Sequence, residues 1–157
     1  MCAEVYPVSE LTVRSSMQLS ERQQEIIDEF QFFESWMDKY QYLIDLGKDL
    51  EPMAETDKTD DNLVRGCQSQ VWMVLDGNPD EVIIRANSDA AIVSGLIALV
   101  VRLYSGASAQ DIVHTEPTFV EALGLSQHLS PTRANGLASM LTRLKAEAAA
   151  LLSQSKT

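Results

Sequence analysis

The sequence predicts an α+β domain in which a small antiparallel sheet of about three strands packs against several helices. Three observations carry this. Apolar stripes with a helical period occupy the first and last thirds of the chain, and two short strand-like runs stand side by side in the middle. No alternation of strand and helix, the mark of a parallel sheet, occurs anywhere. At 157 residues, 45% hydrophobic and 22% charged, the chain is long and apolar enough to bury a core. It divides into a flexible leader over residues 1–18 and one domain over residues 19–157.

Each element has a local reason. Residues 1 to about 18 show no clear period. Ser20 stands three residues before Gln23, a capping-box spacing that predicts a helix start. Ile26, Phe30, Phe33, Met37, Tyr40 and Ile44 then recur at spacings of four and three. Ser35 with Asp38 restarts the pattern, so two helices are expected, closed by Gly47 and Pro52. Residues 48–62 are polar and mostly acidic, the composition of a solvated loop, with a partner-docking loop as the alternative. Gln70–Leu75 and Val82–Ala86 are strand-like and flank the turn formers Gly77, Asn78 and Pro79, which predicts a hairpin. Asn62–Val64 is a candidate third strand. Ser88 is expected to cap a helix over Asp89–Tyr104, with Asp89 at the positive end of its dipole and Gly106 after its end. Ser108 and Asp111 open a short helix through His114, and Pro117 opens another that Gly124 closes. Ser130 caps and Pro131 begins a last helix to about Leu152, striped by Leu137, Leu141, Leu144 and Ala148.

Charge and motifs exclude several functions. Lys plus Arg total 12 and Asp plus Glu total 23, a net charge of −11. Such a surface repels nucleic-acid phosphates and anionic lipid, so neither nucleic acid nor membrane is an expected partner. The longest apolar run, Ala90–Tyr104, is broken by Ser94, Gly95 and Arg102 and falls short of the roughly 20 residues of a membrane span. The N-terminus has neither a basic region nor a sustained apolar region. A cytoplasmic location with free Cys2 and Cys67 thiols is therefore expected. GxGxxG, GxxxxGK[ST], HExxH and GxSxG are all absent. His114 and His128 share no ligand spacing with either cysteine, so no metal site is expected.

Cys67, in VRGCQSQVW, is the unusual position. Gly66 allows a backbone bend, and Gln68, Ser69 and Gln70 separate the cysteine from the strand. Such surroundings offer hydrogen bonds to a thiolate, whereas a buried, inert cysteine is the plainer alternative. Arg133 is the second. A cation in the first turn of the last helix opposes the helix dipole, so Arg133 is either an exposed residue paired with an acid or a partner for a thiolate at Cys67. Two other classes stay open at this point: a cysteine hydrolase pairing Cys67 with His128, and an interaction module with a structural cysteine. A cluster scaffold is disfavoured, because holding iron takes several ligands and the chain offers one well-placed cysteine.

Three strings in order, GCQSQVW (Gly66–Trp72), SDAAIVSGLIALV (Ser88–Val100) and QHLSPTRANGL (Gln127–Leu137), resemble the SufE family of sulfur acceptors, including its CsdE branch. The resemblance implies a fold similar to the scaffold protein IscU and a role in iron–sulfur cluster assembly. It implies that Cys67 accepts persulfide sulfur from a pyridoxal-phosphate (PLP) cysteine desulfurase, SufS- or CsdA-like, and stimulates that enzyme. Delivery would be to a SufBCD-like scaffold complex or, in a CsdE-type protein, to another sulfur-transfer pathway. It implies no cofactor of the chain's own, the PLP being the partner's, and no stand-alone turnover. Pro131, Arg133, Gly136 and Leu137 match the family's Pro-x-Arg-x-x-Gly-Leu pattern, and Gly66, Gln68, Ser69 and Arg133 become supporting residues. A monomer or weak dimer is expected, as is a free-state seat for the Cys67 sulfur in an apolar pocket.

Overall fold

A computed structural model describes residues 8–67 and 69–155. Helices α1 (Val8–Gln31) and α2 (Trp36–Lys48) part where the Ser35 cap predicts, its side chain accepting from the Asp38 N–H at 3.2 Å. The start of α1 differs from expectation. Residues 8–18 are already helical, so Ser20 lies inside the helix and not at its start. No Gly or Pro interrupts the chain from Val8 to Gln31, and extending an existing helix is cheap compared with nucleating one. Residues 1–7, with Cys2, lie outside the described residues. Gln23 is buried, not a capping residue. Its amide nitrogen donates to the Glu116 carbonyl (2.9 Å), and its oxygen accepts from the Phe119 N–H (3.0 Å) and the Thr118 hydroxyl (3.1 Å).

The acidic stretch holds two 3-10 turns, Glu55–Asp57 and Asp60–Asn62. The hairpin follows as β1 (Val71–Asn78) and β2 (Glu81–Ser88), antiparallel from Val71↔Ser88 to Asn78↔Glu81. Only Pro79 and Asp80 make its turn, because the Asn78 side chain accepts from the Asp80 and Glu81 N–H groups and carries the ladder to that point. The expected third strand is reduced to one bridge, Leu63↔Trp72, beside a Val64 N–H···Val71 carbonyl bond of 2.7 Å. The chain turns at Arg65–Gly66, before a ladder can form, so the sheet is two-stranded.

Alternate residues Val82, Ile84 and Ala86 of β2 are buried, the period-two pattern of a sheet with one covered face. That core is completed by α3 (Ala91–Tyr104), whose Leu96, Ile97, Leu99, Val100, Leu103 and Tyr104 are almost fully enclosed. Gly95 brings α3 into backbone contact with α2: a Cβ there would lie 2.1 Å from the Leu43 carbonyl oxygen. After α4 (Ala109–His114), capped by Ser108, come α5 (Thr118–Ala122) and an unforeseen short helix α6 (Leu125–His128), then α7 (Pro131–Ser155). Among the described residues no helix is long and apolar enough to cross a membrane.

Candidate functional site

Cys67 lies on the segment from Asp61 to Val71, whose two limbs are tied to different elements. The entering limb is held from α7, where the Arg143 guanidinium donates to the Leu63 carbonyl (2.5 Å) and the Asp61 carbonyl (2.8 Å). The leaving limb is held from the end of β2. The Ser88 hydroxyl donates to the Gln70 carbonyl (2.7 Å), and the Asp89 carboxylate accepts from the Gln70 N–H (3.2 Å). The sequence reading of Ser88 and Asp89 as a helix start is therefore corrected. The helix begins at Ala91, and Asp89 spends its carboxylate on the Cys67 loop. The Val64–Val71 bond closes the base between the two ties.

Gly66 sits at φ +92, a left-handed conformation that side-chain-bearing residues rarely adopt, and a Cβ there would fall 2.5 Å from the Ser139 Oγ. That bend aims Cys67 at α7. Its Sγ lies 3.5 Å from the Gly136 carbonyl, which it meets as a weak thiol donor. Gly136 packs closely against the cysteine: a Cβ on it would stand in van der Waals contact with Sγ, at 3.4 Å. Among the described residues Cys67 is the free cysteine, and it is half-buried. Desolvation pushes its thiol pKa up, so the seat favours the neutral thiol over the thiolate.

The seat is one wall of a cleft of about 270 Å³. Val93, Leu96, Leu137 and Met140 form an apolar floor, while Ser69, Ser130, Thr132 and Arg133 bring polar groups to the rim. The expected pocket is thus apolar in its depth and polar at its mouth. Arg133 is exposed and makes no ion pair with a described residue, so the expected acid partner is not found. Arg133 and Cys67 share the cleft, as the thiolate-partner alternative requires. Gln68 lies outside the described residues. His128 is elsewhere: its ring stacks on Trp36 at 4.0 Å, its carbonyl accepts the Tyr40 hydroxyl, and it does not line the cleft. The cysteine-hydrolase pairing therefore has no geometric support.

Sequence reasoning missed Arg143, Ser139 and Met140, and misread Ser88 and Asp89. One signal was available for the α7 residues. Gly136, Ser139, Met140 and Arg143 follow at spacings of three and four, so they share a helix face, and Gly136 already belonged to a recognised pattern.

Comparison with known proteins bears on the same residues. A family model described as "SufE: Fe-S metabolism associated domain" matches residues 24–148, a span that includes the loop, the cleft and both ties. An uncharacterized SufE-like protein of Rhizobium meliloti (strain 1021) is 43% identical over 129 residues, covering 79% of this chain and 92% of the relative. In three dimensions the fold is similar to the solution structure of a hypothetical protein from Thermus thermophilus, with a TM-score of 0.70 and 20% identity over 84% of this chain and 96% of that one.

Proposed function

The chain belongs to the SufE family, with a sulfur-transfer role alongside a cysteine desulfurase in Fe–S metabolism, and on that premise we propose that Cys67 is the atom-carrying residue. The supporting observation is its seat: a free thiol on a loop tied at both limbs, its neutral form favoured by desolvation, beside a cleft with a polar mouth.

The chemistry is displacement at sulfur. The thiolate of Cys67 attacks the terminal sulfur of a persulfide on the desulfurase's own cysteine. A bond forms between Cys67 Sγ and that sulfur, the S–S bond of the donor breaks, and the donor's thiolate leaves. One thiol and one persulfide exchange places, and no external oxidant or reductant is consumed. The PLP that generates the persulfide belongs to the desulfurase. Attack needs the anion, which the seat disfavours, so in this reading the sulfur leaves its seat first. Docking on the desulfurase turns the loop outward, hydrates the thiol and lets it ionise. Arg133, at the cleft mouth and free of a carboxylate, attracts the developing thiolate. Ser69 shapes the loop at the same mouth. Removing the persulfide sulfur frees the desulfurase for its next turnover, which accounts for stimulation, and the loaded protein then delivers sulfur to a scaffold that builds the cluster.

The test is mass spectrometry after incubation with L-cysteine and a PLP-dependent desulfurase. A gain of one sulfur mapped to Cys67, lost in Cys67→Ser while the fold survives, is expected. Sulfur accumulating elsewhere, or stimulation that persists in Cys67→Ser, overturns the assignment.

A further inference from the structure

Both limbs of the Cys67 loop are tied, and the tie from α7 comes from a residue outside the sequence strings that mark the family. Arg143 is largely enclosed, with a side-chain exposure of 22%. Its two terminal nitrogens reach two carbonyls of the same limb, Asp61 at 2.8 Å and Leu63 at 2.5 Å. A planar guanidinium presents its donors in a fixed fork, so the two bonds hold position and direction together. Leu63 is also the residue that bridges to Trp72, and Val64 beyond it closes the loop base on Val71. Glu147, one turn along α7, pairs at 3.7 Å with the same guanidinium nitrogen that serves the Asp61 carbonyl.

From this juxtaposition we propose that Arg143 is a positioning residue for sulfur acceptance: it clamps the entering limb at Asp61 and Leu63, so that outward motion is confined to the tip around Cys67. The clamp acts opposite the Ser88–Asp89 tie on the leaving limb. With both ends fixed, the tip swings from a constant base and the closed seat on Gly136 stays the resting state. The proposal rests on the reading of Cys67 as acceptor for its meaning, but not for its measurement, which uses the free protein alone.

The experiment is timed alkylation of Cys67 by iodoacetamide in the full chain, followed by mass spectrometry, with Tm measured in parallel. Lys145→Ala is the control. Lys145 lies on the same helix and makes the same kind of contact, donating to the Ile112, Val113 and Thr115 carbonyls away from the loop. Arg143→Ala is expected to label about tenfold faster than wild type, a shift of about 1.4 kcal/mol in the seat's opening equilibrium. Lys145→Ala is expected to lower Tm but to leave labelling within about twofold, a margin well inside that tenfold step. Arg143→Lys, which keeps the charge but lacks the two-donor fork, should fall between wild type and Arg143→Ala. Unchanged labelling in Arg143→Ala, or equal acceleration in the two alanine variants, overturns the clamp and leaves Arg143 a general stability residue. The desulfurase mass-spectrometry test on the wild-type chain decides the acceptor reading separately, so failure of one does not imitate failure of the other.

Discussion

Replacing Gly66 by alanine isolates the bend that seats the sulfur. Two penalties coincide there. At φ +92 an L side chain stores about 1–3 kcal/mol of backbone strain, and the new Cβ falls 2.5 Å from the Ser139 Oγ, inside any real contact distance. The described hydrogen bond at the tip is the long Cys67 Sγ–Gly136 carbonyl contact of 3.5 Å, so the strain is relieved by leaving the seat. At about 1.4 kcal/mol per factor of ten, the backbone strain alone raises the open population by about 5- to 150-fold. Alkylation proceeds from the open form when opening and closing are fast, and its rate rises in proportion. Timed iodoacetamide labelling of the free protein reads that rate. Adding Ser139→Ala removes the steric part, and the double variant should label more slowly than Gly66→Ala but faster than wild type. Suppose instead that Gly66→Ala labels at the wild-type rate while Tm falls by about 2–4 °C per kcal/mol, the scale for a domain of this size. The strain would then be carried by the whole domain, and the idea of a separately opening tip would be refuted.

Other expectations concern charge and packing. The pKa of Cys67 is raised by desolvation, so its seat favours the protonated form. Its stabilising contribution is complete below the ordinary thiol value of about 8.5 and is lost as pH rises from there through the raised native value. Opening at alkaline pH should therefore vanish in Cys67→Ser, and tip opening followed by amide exchange against pH checks it. Arg133→Ala should slow sulfur acceptance by about tenfold, the worth of one charge-assisted contact, with unchanged Tm, read by single-turnover transfer from a loaded desulfurase; unchanged transfer would return Arg133 to an ordinary surface role. Gly95→Ala drives a Cβ to 2.1 Å from the Leu43 carbonyl oxygen, a backbone atom that cannot rotate away. A loss of about 3 kcal/mol or more is expected, visible as a Tm lowered by several degrees. The Arg102 hydrogen bond holds the Glu29 carboxyl below its usual pKa. Its contribution is present above about pH 4.3 and lost as pH falls through the lowered value. Glu29 is partly exposed, so screening limits the loss to about 1 kcal/mol, and Glu29→Gln should flatten acid unfolding curves over that range.

What was legible in the sequence is what short-range chemistry decides. Ser35, Ser108 and Ser130 each accept from the N–H three residues on, as a capping serine must, and each marks a true helix start. The hairpin was legible because turn formers sit between two β-branched runs. The errors share a cause, since the deciding partner was far away in the chain. Ser88 and Asp89 carry every local mark of a helix cap, and the Ser88 Oγ does accept from the Ala90 N–H at 3.2 Å. Yet the Ser88 hydroxyl also donates to Gln70 and the Asp89 carboxylate accepts from it, eighteen and nineteen residues earlier. Gln23 looks like a capping-box residue and is instead buried against residues 116–119. Arg143 carries no motif at all, and its loop carbonyls lie 80 and 82 residues away. Cys67 and Arg133 were singled out as residues, but their shared cleft is a product of tertiary packing.

A sulfur carrier, the role proposed for Cys67, meets two requirements that pull against each other, and the proposed loop motion would reconcile them by separating where the thiol rests from where it reacts. A permanently exposed thiolate would exchange with any disulfide or oxidant it met. A permanently buried thiol would be safe and inert. Here the contacts that protect Cys67 are weak at the sulfur itself, one long thiol hydrogen bond of 3.5 Å, and strong at the loop base, where charge-assisted bonds hold both limbs. Strength at the base keeps the path of motion reproducible, while weakness at the tip keeps the barrier within reach of docking energy. Glycine at 66 is needed for the resting state, because it permits the bend that seats the sulfur. Because burial is also what raises the thiol pKa, the proposed opening would also be the activation, with protection ending when the tip leaves its seat.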